Sequence, residues 1–206
     1  MYMNPRQYAL IGGVSYLVIF VTAIFGNFVV LEALLADPTG TMTNNNFSVR
    51  LGIMAFLIAG VFDVLVAWAL YALYSEHPFT PVSTWFRIMH AGIMGVAVYT
   101  LVAALNLTDG DAILTAVHDF NTIWLIGLFF FGAHLLFLGR IVKHIRIIPF
   151  FLMAAGAMYM IDTTAHFVLS NYDAYADTFL TLVAIPSIVG EMAFGLYLLL
   201  KVGKIK

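Results

Sequence analysis

Cysteine is absent from the 206-residue chain, and charged residues are scarce at 10%. Without cysteine there is no disulfide, no thiolate nucleophile, no cysteine-ligated zinc or iron–sulfur cluster and no covalently attached c-type haem. The shortage of charge excludes a second class. A soluble domain is about 25% charged and about 45–50% apolar, whereas this chain is 63% hydrophobic with a mean hydropathy of +0.98. A water-soluble globule is therefore excluded. The formal charge of -2 and the lack of any basic run leave nothing to bind nucleic acid. Polar stretches long enough for a soluble domain are missing too, so residues 1–206 read as a single transmembrane domain.

What the chain has in abundance is apolar length. A helix needs about 20 apolar residues to cross roughly 30 Å of hydrocarbon, and six such runs follow one another at about 8–35, 50–75, 82–106, 112–142, 148–170 and 178–201. Asp37-Pro38, Glu76-His77-Pro78, Asp109-Gly110, Lys143-His144 and Asn171-Tyr172-Asp173 punctuate them. The first run, at about 28 residues, exceeds the 7–15 of a signal-peptide core and reads as a retained helix. Pro149 falls in the first turn of the fifth run, where its missing N–H costs nothing, and Pro186 falls inside the sixth. Small residues such as Ala91, Gly95, Gly127 and Gly132 provide places for close helix contact. The expected fold is all-α, a polytopic six-transmembrane-helix bundle in a lipid bilayer. With an even number of spans, both termini share a side with Arg6, Arg87, Arg140, Lys143, Arg146, Lys201, Lys204 and Lys206, leaving Arg50 opposite. That bias predicts cytoplasmic termini.

Several local strings together carry a resemblance. Asn4-Pro5-Arg6 precedes the first helix, Phe47-Ser48-Val49-Arg50-Leu51-Gly52-Ile53 opens the second with Phe62-Asp63-Val64 inside it, and Phe86-Arg87-Ile88-Met89-His90-Ala91 lies in the third. Gly132-Ala133-His134-Leu135 closes the fourth, Ile148-Pro149 opens the fifth before Ile161-Asp162, and Val189-Gly190-Glu191-Met192-Ala193 lies in the sixth. In this order, over nearly the whole chain, they resemble the DUF4386 family of small bacterial membrane proteins. The resemblance implies six helices and a multi-pass protein of the bacterial cytoplasmic (inner) membrane, and it implies no activity.

Any chemistry must lie in the ionisable residues inside the spans, because a charge at mid-membrane costs at least about 2.5–3.5 kcal/mol unless paired or wetted. Counting 1.5 Å per residue from the side of the termini places His134 roughly 10 Å deep, His90 roughly 12, Glu191 roughly 15, Asp63 roughly 18 and Asp162 roughly 21 Å. Five residues from five helices thus share one layer. A second layer toward the opposite surface holds Glu32, Arg50, His118, Asp119 and His166, where Arg50 is expected to neutralise Glu32 or Asp119. Arg87, one turn before His90, either snorkels to the headgroups or joins the inner layer as a ligand-binding group. Ser187, one turn before Glu191, leaves room for water or a small ligand, and Pro186 loosens the backbone beside it. Asp162 and His166, spaced i,i+4, project from one face, a spacing for co-ligating a metal or for a carboxylate orienting an imidazole, with a hydrogen bond to Thr163 or a neighbouring helix as the alternative.

Three readings of this layer follow. In the first, His90 and His134 hold a divalent metal such as zinc, with Glu191 and Asp63 as catalytic carboxylates, Arg87, Asp162 and Ser187 as ligand-binding groups, and water attacking a lipid-like substrate. No H-E-x-x-H or similar string supports it. In the second, the same groups form a metal-free site for small-molecule binding, transport or proton relay. In the third, His90 and His134 hold b-type haem, with His118 and His166 as a further pair.

Overall fold

In the computed structural model, which describes residues 3–200, the first helix starts where its capping chemistry says it must. The Asn4 side chain accepts from the Gln7 N–H at 2.9 Å while the Asn4 N–H donates to the Gln7 side chain, and Pro5 occupies the first helical position. Helix α1 runs over Pro5–Ala36 and contains a π segment at Phe25–Leu31. A wider turn leaves a carbonyl without its usual partner, and the Asn27 amide donates to the Ala23 carbonyl at 2.9 Å.

The segment after α1 differs from the expected loop. Pro38–Asn44 forms a short helix, α2, because Asp37 accepts from the Gly40 N–H at 2.9 Å and Pro38 follows it at the first helical position. A Cβ at residue 40 would lie on the Asp37 carboxylate, so this cap needs glycine. The remaining spans are α3 (Asn46–Leu73), α4 (Thr80–Ala104), α5 (Gly110–Ile141), α6 (Ile148–Val168) and α7 (Tyr172–Leu200), each within a few residues of its expected bounds except the start of α7. That helix opens six residues early, through a single 3₁₀ turn at Tyr172–Tyr175. Among the described residues the chain is 88% helical, without strands. Lys201, Lys204 and Lys206 lie outside those residues.

The spans form a ring in which each packs on its neighbours in sequence and α1 closes against α7 along the thinnest seam. Close approach between α5 and α6 depends on Gly132 and Gly156, where a Cβ on either would come within 2.6 Å of the other's carbonyl oxygen. Gly95 plays no such part, since nothing lies within 4 Å of the Cβ it lacks.

Two apolar cores fill the ring. The half that holds Asn4 and Leu200, here the terminal half, buries Ala9 and Tyr16 of α1, Val66 of α3, Phe131 of α5, Leu152 of α6 and Phe194 of α7. The far half buries Val30 and Leu34 with Phe56, Leu101 and Phe120, drawn from α1, α3, α4 and α5. Between these cores lies a polar layer.

Candidate functional site

Arg87 is the centre of that layer, and it is 1% exposed. The snorkelling alternative is thereby overturned: the guanidinium turns inward, not to the headgroups. Nη2 donates to Asp63 Oδ1 at 2.5 Å and Nη1 donates to the Tyr16 hydroxyl at 2.9 Å. The same Nη1 lies 3.2 Å from His134 Nε2. The guanidinium carbon also sits 4.9 Å from the Tyr16 ring centre and 5.2 Å from that of Phe131, so aromatic rings take the place of solvent beside the cation.

The hydrogen bonds assign the state of His134. Its Nδ1 lies 3.0 Å from the Ser83 carbonyl, an obligate acceptor, so Nδ1 carries the proton and Nε2 accepts from Arg87. Ser83 Oγ, 2.9 Å from the same nitrogen and 3.3 Å from the His134 carbonyl, closes the contact. His134 is thus a neutral ring with both nitrogens engaged, Nδ1 by Ser83 and Nε2 by Arg87. His90 approaches Asp63 from the other side, with Nε2 at 3.4 Å from Oδ2. Both carboxylate oxygens of Asp63 are therefore engaged, one by Arg87 and one by His90.

A cavity of about 190 Å³ adjoins this network. All six spans contribute to its wall. Asp63, Arg87 and His90 line one side, and Tyr159, Ser187 and Glu191 of α6 and α7 line the other. Ser187 is buried and its hydroxyl donates to the Ala184 carbonyl at 3.1 Å, in the turn that contains Pro186. Glu191 forms no ion pair among the described residues, although it shares the cavity with Arg87.

Of the residues expected to form one layer, the structure brings together Asp63, Arg87, His90, His134, Ser187 and Glu191. The two imidazoles do not face each other across a coordination site, because Arg87 is the group that His134 meets. Among the described residues no three His, Asp or Glu side chains are grouped as a metal centre requires. Asp162 stands apart: it accepts from the Tyr172 hydroxyl at 2.6 Å and does not line the cavity. His166 packs its ring on Tyr172 with centres 4.5 Å apart, so the i,i+4 pair grips a tyrosine of the next helix.

The far-surface layer does not assemble. Arg50 donates to Asn46 Oδ1 at 2.6 Å on its own helix, and no ion pair among the described residues joins it to Glu32 or Asp119. Glu32, His118 and Asp119 are all exposed. Sequence reading missed Tyr16, Ser83 and Tyr159. For Ser83 a signal exists, since Ser83, Arg87 and His90 repeat at i, i+4, i+7 along one face of α4. Tyr16, one of several hydroxyl-bearing residues in a long apolar run, carries none.

Six apolar spans, a closed ring and a buried ion pair beside a cavity define a polytopic helical membrane protein with a polar intramembrane site. The chain belongs to the DUF4386 family: the model of this domain of unknown function matches residues 11–202. No curated protein and no solved structure matches the chain.

Proposed function

We propose that the cavity is a metal-free binding site for a small molecule with a cationic group, in which Glu191 supplies the recognising charge. The observation that carries this reading is a charge imbalance at one cavity. With His134 neutral and His90 read as neutral beside Asp63, Asp63 and Glu191 face a single cation, Arg87, and that cation is already engaged by Asp63. An unbalanced carboxylate at this depth is costly, and a proton or the cationic group of a ligand makes good the deficit. Arg87, Asp63, His134 and Tyr16 are then a rigid frame, and Glu191 with Ser187 and Tyr159 is the exchanging wall.

The hydrolase and haem readings draw less from this geometry. Both need free imidazole nitrogens, and His134 offers none while it holds Arg87.

Thermal unfolding in detergent tests the reading with benzylamine and benzoate as probes. Benzylamine should raise the melting temperature of the wild type and leave Glu191→Gln unmoved, because a ligand that binds only the folded state stabilises it by mass action. Stabilisation by benzoate alone would assign the recognising charge to Arg87 instead and overturn the proposal.

Orientation belongs to the same reading. With Arg87 withdrawn into the bundle, Arg6, Arg140, Lys143 and Arg146 remain on the side of the termini among the described residues, against Arg50 opposite, and we infer that this side is cytoplasmic. A tag after residue 206 that is cleaved by protease added to intact cells would refute it.

A further inference from the structure

We propose that the cavity opens sideways into hydrocarbon through the seam between α1 and α7, and that its ligand is a single-chain amphiphile with a cationic head drawn from the bilayer. This rests on the reading of Glu191 as the recognising charge, and adds the route and the ligand class.

The cavity has both polar and apolar lining. Beside Asp63, Arg87 and Glu191 its wall includes Ile19, Phe20 and Ala23 of α1 and Ile188 and Met192 of α7, the two helices that border the seam. Ile188 lines the cavity and is also 53% exposed, so one side chain reaches from the interior to the outer surface of the bundle. On a membrane-spanning helix that outer surface is lipid.

The flanking helices leave this route uncovered. No residue of α1 from 17 to 25 is buried, and none of α7 from 172 to 186. The far-half core takes nothing from α6 or α7, so the seam is sealed in the terminal half, where Tyr16 meets Phe194 at 5.9 Å between ring centres, and not beyond it.

Size then selects the ligand. About 190 Å³ is little more than the roughly 150 Å³ that encloses a benzene ring. A head group fits; a long chain does not. Glu191 lies one turn beyond Ile188 on α7, so a head held at Glu191 leaves its chain at Ile188, in the seam. The chain never leaves hydrocarbon, and only the head changes surroundings.

Carbodiimide labelling of Glu191 in proteoliposomes tests the route, with the labelled peptide identified by mass. Lipid-soluble dicyclohexylcarbodiimide should modify Glu191 at least ten times faster than a water-soluble carbodiimide, and dodecylamine should protect. Ile188→Trp should slow the labelling several-fold. Should that variant fail to fold, Phe20→Ala, on the facing wall, should speed it. Equal rates with the two reagents, or rates indifferent to both seam variants, would overturn sideways entry even if benzylamine binds. Fast lipid-side labelling without protection by dodecylamine would instead overturn the cationic ligand and leave the route standing.

Discussion

The terminal and far halves of this bundle are built from similar amino acids and reach opposite packing outcomes. In the terminal half, α1, α3, α5, α6 and α7 all bury side chains in one core, and glycines on α5 and α6 bring two backbones into contact. In the far half the core draws on α1, α3, α4 and α5 with Met42 of α2, while α7 shows a wholly unburied stretch from 172 to 186. Lipid tails are as apolar as leucine, so a helix in a membrane gains nothing by burying leucine as such. Shape and polar contacts decide which spans close up, and the Arg87 network with its neighbouring glycines lies toward the closed half.

The largest test of this contrast removes the network. Arg87→Met leaves Asp63 buried without its cation and should cost about 3–5 kcal/mol, whereas adding Asp63→Leu to it should recover most of the loss. Unfolding in detergent, followed by helical circular dichroism, reads both; a single variant as stable as wild type would show that the pair does not hold the terminal half together. A paired truncation on α7 compares the halves directly. Phe194→Ala, in the terminal core, should cost about 3–5 kcal/mol, while Ile185→Ala, on the uncovered stretch, should stay within about 0.5 kcal/mol. Equal costs would mean that the far part of α7 is held as firmly as its end. The smallest effect is expected at the far surface. Because the side-chain hydrogen bond of Arg50 among the described residues is to Asn46 one turn before it, Arg50→Ala should change stability by less than about 0.5 kcal/mol. A loss of several kcal/mol would place Arg50 in an ion pair after all.

The spans were legible because their length and apolarity are set by the bilayer, and both signals are local. The short α2 was legible in principle, since Asp37-Pro38 is a helix start, but its polar composition reads equally as a loop. Arg87 was harder. It lies seven residues into α4, roughly 10 Å from the helix start at 1.5 Å per residue, which is within snorkelling reach of an open helix end. That end is not open. Thr80 and Ser83 are buried, and Thr80 is tied to the Tyr74 carbonyl at 2.6 Å by the connection that folds back over it. Whether a helix terminus is covered depends on other segments, and no periodicity reports it. Arg50 failed for the converse reason: opposite charges at similar depth on different helices attract only if their helices turn those faces together. Asp162 shows the same limit, since its partner Tyr172 arrives from the opening turn of the following helix.

The π segment in α1 reconciles two surfaces that a regular helix could not serve together. Each residue of an α-helix advances the face by about 100°, since 3.6 residues make a turn. An extra residue taken up by a wider turn therefore puts the helix on either side of it out of phase by about that angle. Before Phe25, α1 turns Tyr16, Ile19, Phe20 and Ala23 toward the cavity; within and after the segment it turns Val30, Leu31 and Leu34 into the far core. The segment acts as a phase shifter, and removing a single residue from it would rotate every contact on one side relative to the other, so the length of this stretch matters more than the identity of most side chains in it.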